Sequence, residues 1–341
     1  MSRPTVHDIA KEAGVSLATV DRVLNARPGV RGKTIEKVQA AVARLGYVRD
    51  TYAANLARQR QYRFAFVLPD GPSQFAQSLR AALQEAYASQ IADRTLVGII
   101  RVPIGDPHAI VRALQTKSAE GLDGIALMVP ETPQVRDAIS RLKDAGVAVV
   151  TLVSDLPDSR RDFFVGINSV AAGRTAGSLM GRFVCGKGEI LVVTNSLRSR
   201  ESVERRLGFD EVMARDFPAI TVLPSVEAHD DPARMARIVT EVLARRPGLV
   251  GVYSTGSGNT TLIEALRGRP RSDRIVVIAH ELTPARRQAL IDGEIDAVIA
   301  QNVGHLIRSS IRVLRNLCDD RPIYAAQERL RIEVVLRENL P

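Results

Sequence analysis

Two groups of side chains in this 341-residue chain carry recognisable binding chemistry. The first is Ser16, Leu17, Ala18, Thr19 and Arg22. An arginine offers the paired donors that guanine O6 and N7 accept, short hydroxyls suit phosphate oxygens, and small apolar groups can meet base edges. The second group lies at the ends of apolar runs. Ser154 and Asp155 close the run VAVVTLV, where a carboxylate can accept paired hydrogen bonds from hydroxyl groups. Phe75 follows the run FAFVLP, where its ring can stack on a sugar or base, or else pack in the core at a helix start. Catalytic constellations are missing. The chain contains neither H-E-x-x-H nor G-x-S-x-G, and His7, His108, His229, His280 and His305 stand in unrelated segments. Cys185 and Cys318 make neither a disulfide framework nor a zinc site. The glycines of STGSGNTT (254–261) are not followed by the Lys-Ser/Thr of a phosphate loop. No enzyme activity, metal or cofactor is expected.

The first group needs a scaffold, and TVHDIAKEAGVSLATVDRVLN (5–25) supplies one. Val6, Ile9, Ala10 and Ala13 recur at helical spacing until Gly14 breaks the run. Ser16 can then cap a second helix carrying Leu17, Val20, Val23 and Leu24. Val6, Ile9, Val20, Val23 and Leu24 are expected to pack. A glycine between short amphipathic helices suits a helix-turn-helix, whose second helix enters the major groove of DNA; any small helical hairpin has the same pattern. A third helix is predicted from Lys33 to Leu45, stopped by Gly46, after which Tyr47 either packs or reaches a phosphate. Charge favours the DNA-binding alternative. Residues 1–63 hold 12 Lys/Arg and 5 Asp/Glu, which is +7 of the chain's +9. A basic head on a nearly neutral body is the electrostatic footprint of a polyanion binder.

Residues 5–60 resemble the headpiece of the lactose-repressor (LacI/GalR) family of transcription regulators, through TVHDIAKEAGVSLATVDRVLN, Val30, the third helix and Leu45-Gly46-Tyr47. The resemblance implies DNA contacts by Thr5, Ser16, Leu17, Ala18, Thr19, Arg22, Asn25 and Tyr47. It also implies that DTYAANLARQR (50–60) is a hinge helix whose Leu56, beside Asn55, enters the minor groove. Two departures bear on the DNA contact. Asp21 replaces a family serine, where a carboxylate would repel phosphate unless it turns inward or pairs with Arg22 or Arg49. Arg31 stands where a helix-capping serine is common.

From Arg63 onward, apolar strands alternate with helices. Strands are expected at 64–69, 95–102, 124–130, 147–153 and 163–168, then at 188–194, 221–226, 249–255, 275–281 and 297–302, with a last one at 330–336. Their continuous apolar character argues for parallel sheets covered on both faces. The two successive α/β units resemble a periplasmic sugar-binding fold. The expected architecture is thus an all-α helix-turn-helix headpiece (1–48), a hinge or linker (49–62) and a two-lobed α/β body (63–341). Lobe 1 would comprise 63–167 and 302–327, and lobe 2 would comprise 168–301 and 328–341, with crossings near Asn168, Gln301–Asn302 and Ala325–Arg331.

Ligands of open parallel sheets sit beyond the strand C-termini, which here means a cleft between lobes. Arg205, in the spacing R-x-x-G-F with Gly208-Phe209, matches the family's effector-binding arginine. By the same resemblance, Asn259 is the expected amide contact, Glu281 the carboxylate within Ala279-His280-Glu281 (the family commonly has Gly-Phe-Asp), and Gln301 the glutamine of ribose-type binding proteins. With Phe75, Ser154 and Asp155, these residues suit a polyhydroxylated ligand, a sugar or polyol.

The expected partners are double-stranded operator DNA, a small-molecule effector and a second copy of the chain. A homodimer follows because one head reads too few bases and no leucine heptad extends the tail. No apolar run reaches the ~20 residues of a membrane span. MSRPTVHD lacks a signal-peptide core, and two cysteines fit a reducing compartment, so a cytoplasmic location is expected. The alternative is a cytosolic sugar-binding or sugar-processing protein with a basic N-terminal module.

Overall fold

Thr5 starts the first helix by exchanging hydrogen bonds with Asp8. The Asp8 amide donates to Thr5 Oγ1 at 3.4 Å, and the Thr5 amide and hydroxyl each donate to the Asp8 carboxylate at 2.8 Å. The computed structural model describes residues 4–24, 27–47, 60–71, 73–90, 94–119, 121–229, 231–256, 259–267 and 274–341. Asn25, Asn55 and Leu56 fall outside them. The chain divides into two units, Met1–Arg60 and Gln61–Pro341.

The first unit contains α1 (Val6–Ala13), α2 (Leu17–Leu24) and α3 (Gly32–Leu45). Gly14 takes φ 66°, a left-handed conformation that a Cβ would strain, and so turns the chain from α1 into α2. The Thr19 amide donates to Ser16 Oγ at 3.2 Å, as a cap requires. Arg31 precedes α3 without a side-chain cap. Ile9, Val20, Val38 and Ala41 form the buried centre, with Val23, Leu24 and the Tyr47 ring packed against it. Val6 departs from expectation: at the first position of α1 it is 37% exposed rather than packed.

The second unit holds two sheets. The first is ordered β2-β1-β3-β4-β5, from β1 (Tyr62–Pro69), β2 (Thr95–Val102), β3 (Gly124–Leu127), β4 (Ala148–Leu152) and β5 (Phe163–Val165), all parallel. Its connections include α4 (Gln74–Gln90), α5 (Pro107–Ala119) and α6 (Pro133–Asp144). The chain then enters α7 (Ser169–Val184), which packs on the second sheet and on α8 (Arg200–Asp216). That sheet is built from β6 (Gly188–Thr194), β7 (Ile220–Val222), β8 (Val226–Glu227), β9 (Leu249–Ser254), β10 (Val276–His280) and β11 (Ala297–Ala300). Between these strands run α9 (Pro232–Arg245), α10 (Asn259–Leu266) and α11 (Pro284–Ile291). The expected single strand at 221–226 is split: β7 and β8 pair with separate stretches of β6, and Pro224 between them has no amide hydrogen to donate to a ladder.

After β11 the chain returns to the first sheet as α12 (Val303–Cys318), passes α13 (Ala325–Glu328), and ends with β12 (Glu333–Val335), antiparallel to β11. The last strand, expected over 330–336, covers only Glu333–Val335, and a 3-10 turn, Arg337–Asn339, follows it. Two of the crossings are built alike. Asn168 (φ −73°, ψ 104°) accepts from the Ala171 amide at 2.9 Å, and Asn302 (φ −74°, ψ 103°) accepts from the His305 amide at 2.8 Å. Each asparagine thereby caps the helix that follows its crossing.

Candidate ligand cleft and DNA-facing helix

The strand C-termini of the two lobes face each other across a cavity of about 250 Å³. Arg205, on α8, is 3% exposed. Its Nη1 donates to the Thr255 carbonyl at 2.7 Å and its Nη2 to Glu281 Oε1 at 2.9 Å. Glu281 is held from two further sides. Gln301 Nε2 donates to the same Oε1 at 2.9 Å, and Arg286 Nη1 donates to the Glu281 carbonyl at 2.8 Å. Arg286 also reaches the Gly256 carbonyl at 2.8 Å, tying the β9 end to the β10 end.

Four buried polar atoms of lining residues have no protein partner: Glu201 Oε2, Arg205 Nε, Thr255 Oγ1 and Glu281 Oε2. Buried polar groups in native proteins are almost always satisfied, so these lining residues are exceptions to the rule. Each wall also contributes a left-handed residue, Val153 (φ 62°) and Glu281 (φ 65°). A β-branched residue in that region is strained by about 1–3 kcal/mol, and such strain clusters at ligand clamps.

Behind Glu281, fully buried His280 shares a 2.8 Å hydrogen bond between its Nε2 and the Tyr253 hydroxyl, and the Tyr253 ring stacks on Phe209 at 4.4 Å. Burial, reinforced by the charges of Arg205 and Arg286, drives the His280 pKa well below its ordinary value, so the imidazole stays neutral.

Of the residues expected in the cleft, Phe75, Ser154, Arg205 and Glu281 line it. Two expectations are corrected. The Asp155 carboxylate is taken up by the Arg161 fork (Nη2 to Oδ2 2.6 Å), the Thr151 hydroxyl (2.9 Å) and the Leu156 amide (2.7 Å), so it braces the loop after β4. Gln301 stands behind Glu281 and holds it rather than lining the cavity. Asn259 begins α10, its side chain lies outside the described residues, and its neighbours Thr260 and Thr261 line the cleft. Asn195, Glu201, Thr255 and Arg286 join the lining without having been expected there. Asn195 and Thr255 directly follow β6 and β9, a position the strand-end rule already covers. Thr283-Pro284, an N-cap signal, sets Arg286 in the first turn of α11, where Thr283 Oγ1 accepts its amide at 3.4 Å.

On the headpiece, Ser16, Leu17, Ala18 and Arg22 are exposed along α2, Leu17 by 42%. Ser16 and Thr19 share a hydroxyl hydrogen bond of 2.9 Å. Thr5 is exposed, but its hydroxyl donates to Asp8. Tyr47 takes the packing alternative, with its ring against the headpiece core. Asp21 does not turn inward: its side chain is 55% exposed and pairs with Arg27 at 3.4 Å. Among the described residues, no cluster of His, Cys, Asp and Glu could hold a metal, and no helix is long and apolar enough to cross a membrane.

Known proteins agree with both halves. The family described as "Bacterial regulatory proteins, lacI family" matches residues 5–50, and "Periplasmic binding protein domain" matches residues 64–322. The lactose operon repressor of Escherichia coli (strain K12) is 24% identical over 274 residues, covering 78% of this chain and 71% of the repressor. Catabolite control protein A of Priestia megaterium is 36% identical over 81 residues, 24% of either chain, so that the match spans about a quarter of the relative's length. The maltose regulon regulatory protein MalI of Vibrio furnissii is 36% identical over 26% of this chain and 65% of its own. Among solved structures, the glucose-galactose binding protein GanP of Geobacillus stearothermophilus superposes with TM-score 0.74 at 19% identity, over 83% of this chain and 99% of GanP. That likeness concerns the fold. The chain belongs to the LacI family of bacterial regulatory proteins, and its body is a periplasmic binding protein domain.

Proposed function

We propose that this protein is a ligand-responsive, sequence-specific DNA-binding transcription regulator, a cytoplasmic homodimeric repressor without catalytic activity. Its headpiece binds operator DNA through Ser16, Leu17, Ala18, Thr19 and Arg22, and its cleft binds a small sugar or polyol through Phe75, Ser154, Arg205 and Glu281. The observation that carries the reading is the pairing in one chain of an exposed recognition helix on a basic headpiece with a cleft lined by residues whose buried polar atoms lack protein partners. A hydroxyl group both donates and accepts, so a polyhydroxylated ligand can satisfy Glu281 Oε2 and Arg205 Nε together. A ligand that favours one arrangement of the lobes shifts the population of that arrangement, and with it the affinity of the heads for DNA.

The test is binding of the purified protein to its own promoter region and to random DNA across a salt series. Specific binding that weakens with salt, and a preference for the promoter at physiological salt, are expected. Equal affinity for both DNAs would overturn the reading.

A further inference from the structure

The two walls of the cleft differ in chemistry. Among the described residues, the four charged residues of the lining, Glu201, Arg205, Glu281 and Arg286, belong to lobe 2, and so do Glu201 Oε2, Arg205 Nε, Thr255 Oγ1 and Glu281 Oε2. Lobe 1 contributes Phe75, Ile104, Met128, Val129, Pro130 and Val153, and among the described residues its polar side chains there are Ser73, Gln74 and Ser154. A free sugar bears hydroxyls around its whole rim. Those facing lobe 1 would lose water and gain few partners in return, which opposes binding. The charges on lobe 2 sum to zero, two arginines against two glutamates, so no ionised group is required of the ligand.

Resting on the reading of the cleft as a polyol site, we infer that the effector is a sugar joined to an apolar ring, with the hydroxyls on lobe 2 and the ring on lobe 1. On lobe 2, the hydroxyls meet the charged side chains of Glu201, Arg205, Glu281 and Arg286. On lobe 1, the ring lies among Phe75, Met128 and Val153 and displaces water from a wall that cannot bind it well. Phe75 is half-buried on α4 and supplies a ring face, while Met128 is an unbranched side chain able to adapt to a planar group.

Calorimetric titration of the full-length protein with glucose, galactose and arabinose, each against its phenyl β-glycoside, tests this. At least one phenyl glycoside should bind about tenfold or more tighter than its parent sugar, the gain expected from burying a ring face. Met128→Gln, with a polar side chain of similar length, should remove most of that advantage while leaving the parent sugar's affinity within about twofold. Met128→Leu, which keeps the apolar surface, should retain the advantage, and the melting temperature of each variant checks that it folds. Equal or tighter binding of the free sugars would overturn the inference and leave the polyol reading standing. Silence from both sets would overturn the polyol reading and this inference with it.

Discussion

Arg205 and Glu281 meet at 2.9 Å with both side chains almost fully buried, yet each keeps one atom, Nε and Oε2, that no protein group satisfies. Removing one partner strands the other charge in the interior. Arg205→Ala should therefore cost about 3–5 kcal/mol of folding stability in urea titrations. Replacing both by methionine removes both desolvation costs, and Arg205→Met/Glu281→Met should be more stable than Arg205→Ala by at least about 1 kcal/mol. A double variant as unstable as the single one would mean that the stranded Glu281 charge is not what destabilises Arg205→Ala.

His280 makes stability depend on pH. Its folded pKa is depressed by burial, so below the unfolded value of about 6.5 the unfolded chain takes up a proton that the folded chain refuses. Its contribution is fully present above about pH 6.5 and declines as pH falls, by at most about 1.4 kcal/mol for each pH unit. His280→Phe should lower stability above about pH 6.5 by leaving the Tyr253 hydroxyl without its partner, and should flatten the slope between pH 6.5 and 5. An unchanged slope in that variant would assign the acid sensitivity to other groups.

Gly173 holds the backbone of α7 against that of α8: a Cβ there would come within 2.0 Å of the Arg205 carbonyl oxygen. Neither backbone can yield without moving its helix, so Gly173→Ala should lose about 1–3 kcal/mol or more and weaken ligand binding by shifting Arg205. Gly186, whose Cβ would meet no atom within 4 Å, is the control, and Gly186→Ala should stay within about 0.5 kcal/mol of the parent.

Asp21 places a negative charge on the exposed side of the recognition helix. Asp21→Ser removes it and releases Arg27, so affinity for any duplex should rise and the slope of log K against log salt should steepen by about one ion. Fluorescence anisotropy at several salt concentrations measures both quantities. If neither changes, Asp21 and Arg27 lie away from the phosphates.

Most strands are legible in the sequence because a parallel sheet covered on both faces leaves continuous apolar runs, as in GEILVVT, and few other structures produce them. The recognition helix is legible because Gly14 and Ser16 have local jobs that local sequence reveals. The cleft is only partly so. Its position follows from the strand ends, but whether a strand-end side chain faces the cavity depends on distant partners. Arg161, six residues after Asp155, captures that carboxylate, and nothing in the spacing announces it. Gln301 looks like a ligand contact for the same reason, since its target is a side chain 20 residues earlier. Tyr47 has two environments open to it in the sequence, and only the packing of the three helices decides between them.

The matched caps tie two of the lobe crossings to the helices that follow them. Each asparagine is bonded to the first turn of the helix after it, so Asn168 travels with lobe 2 and Asn302 with lobe 1. The residue just before Asn302 is Gln301, whose amide donates to Glu281. The carboxylate of the ligand wall is therefore one hydrogen bond away from a segment that joins the lobes, and a ligand that draws on Glu281 draws on that connection.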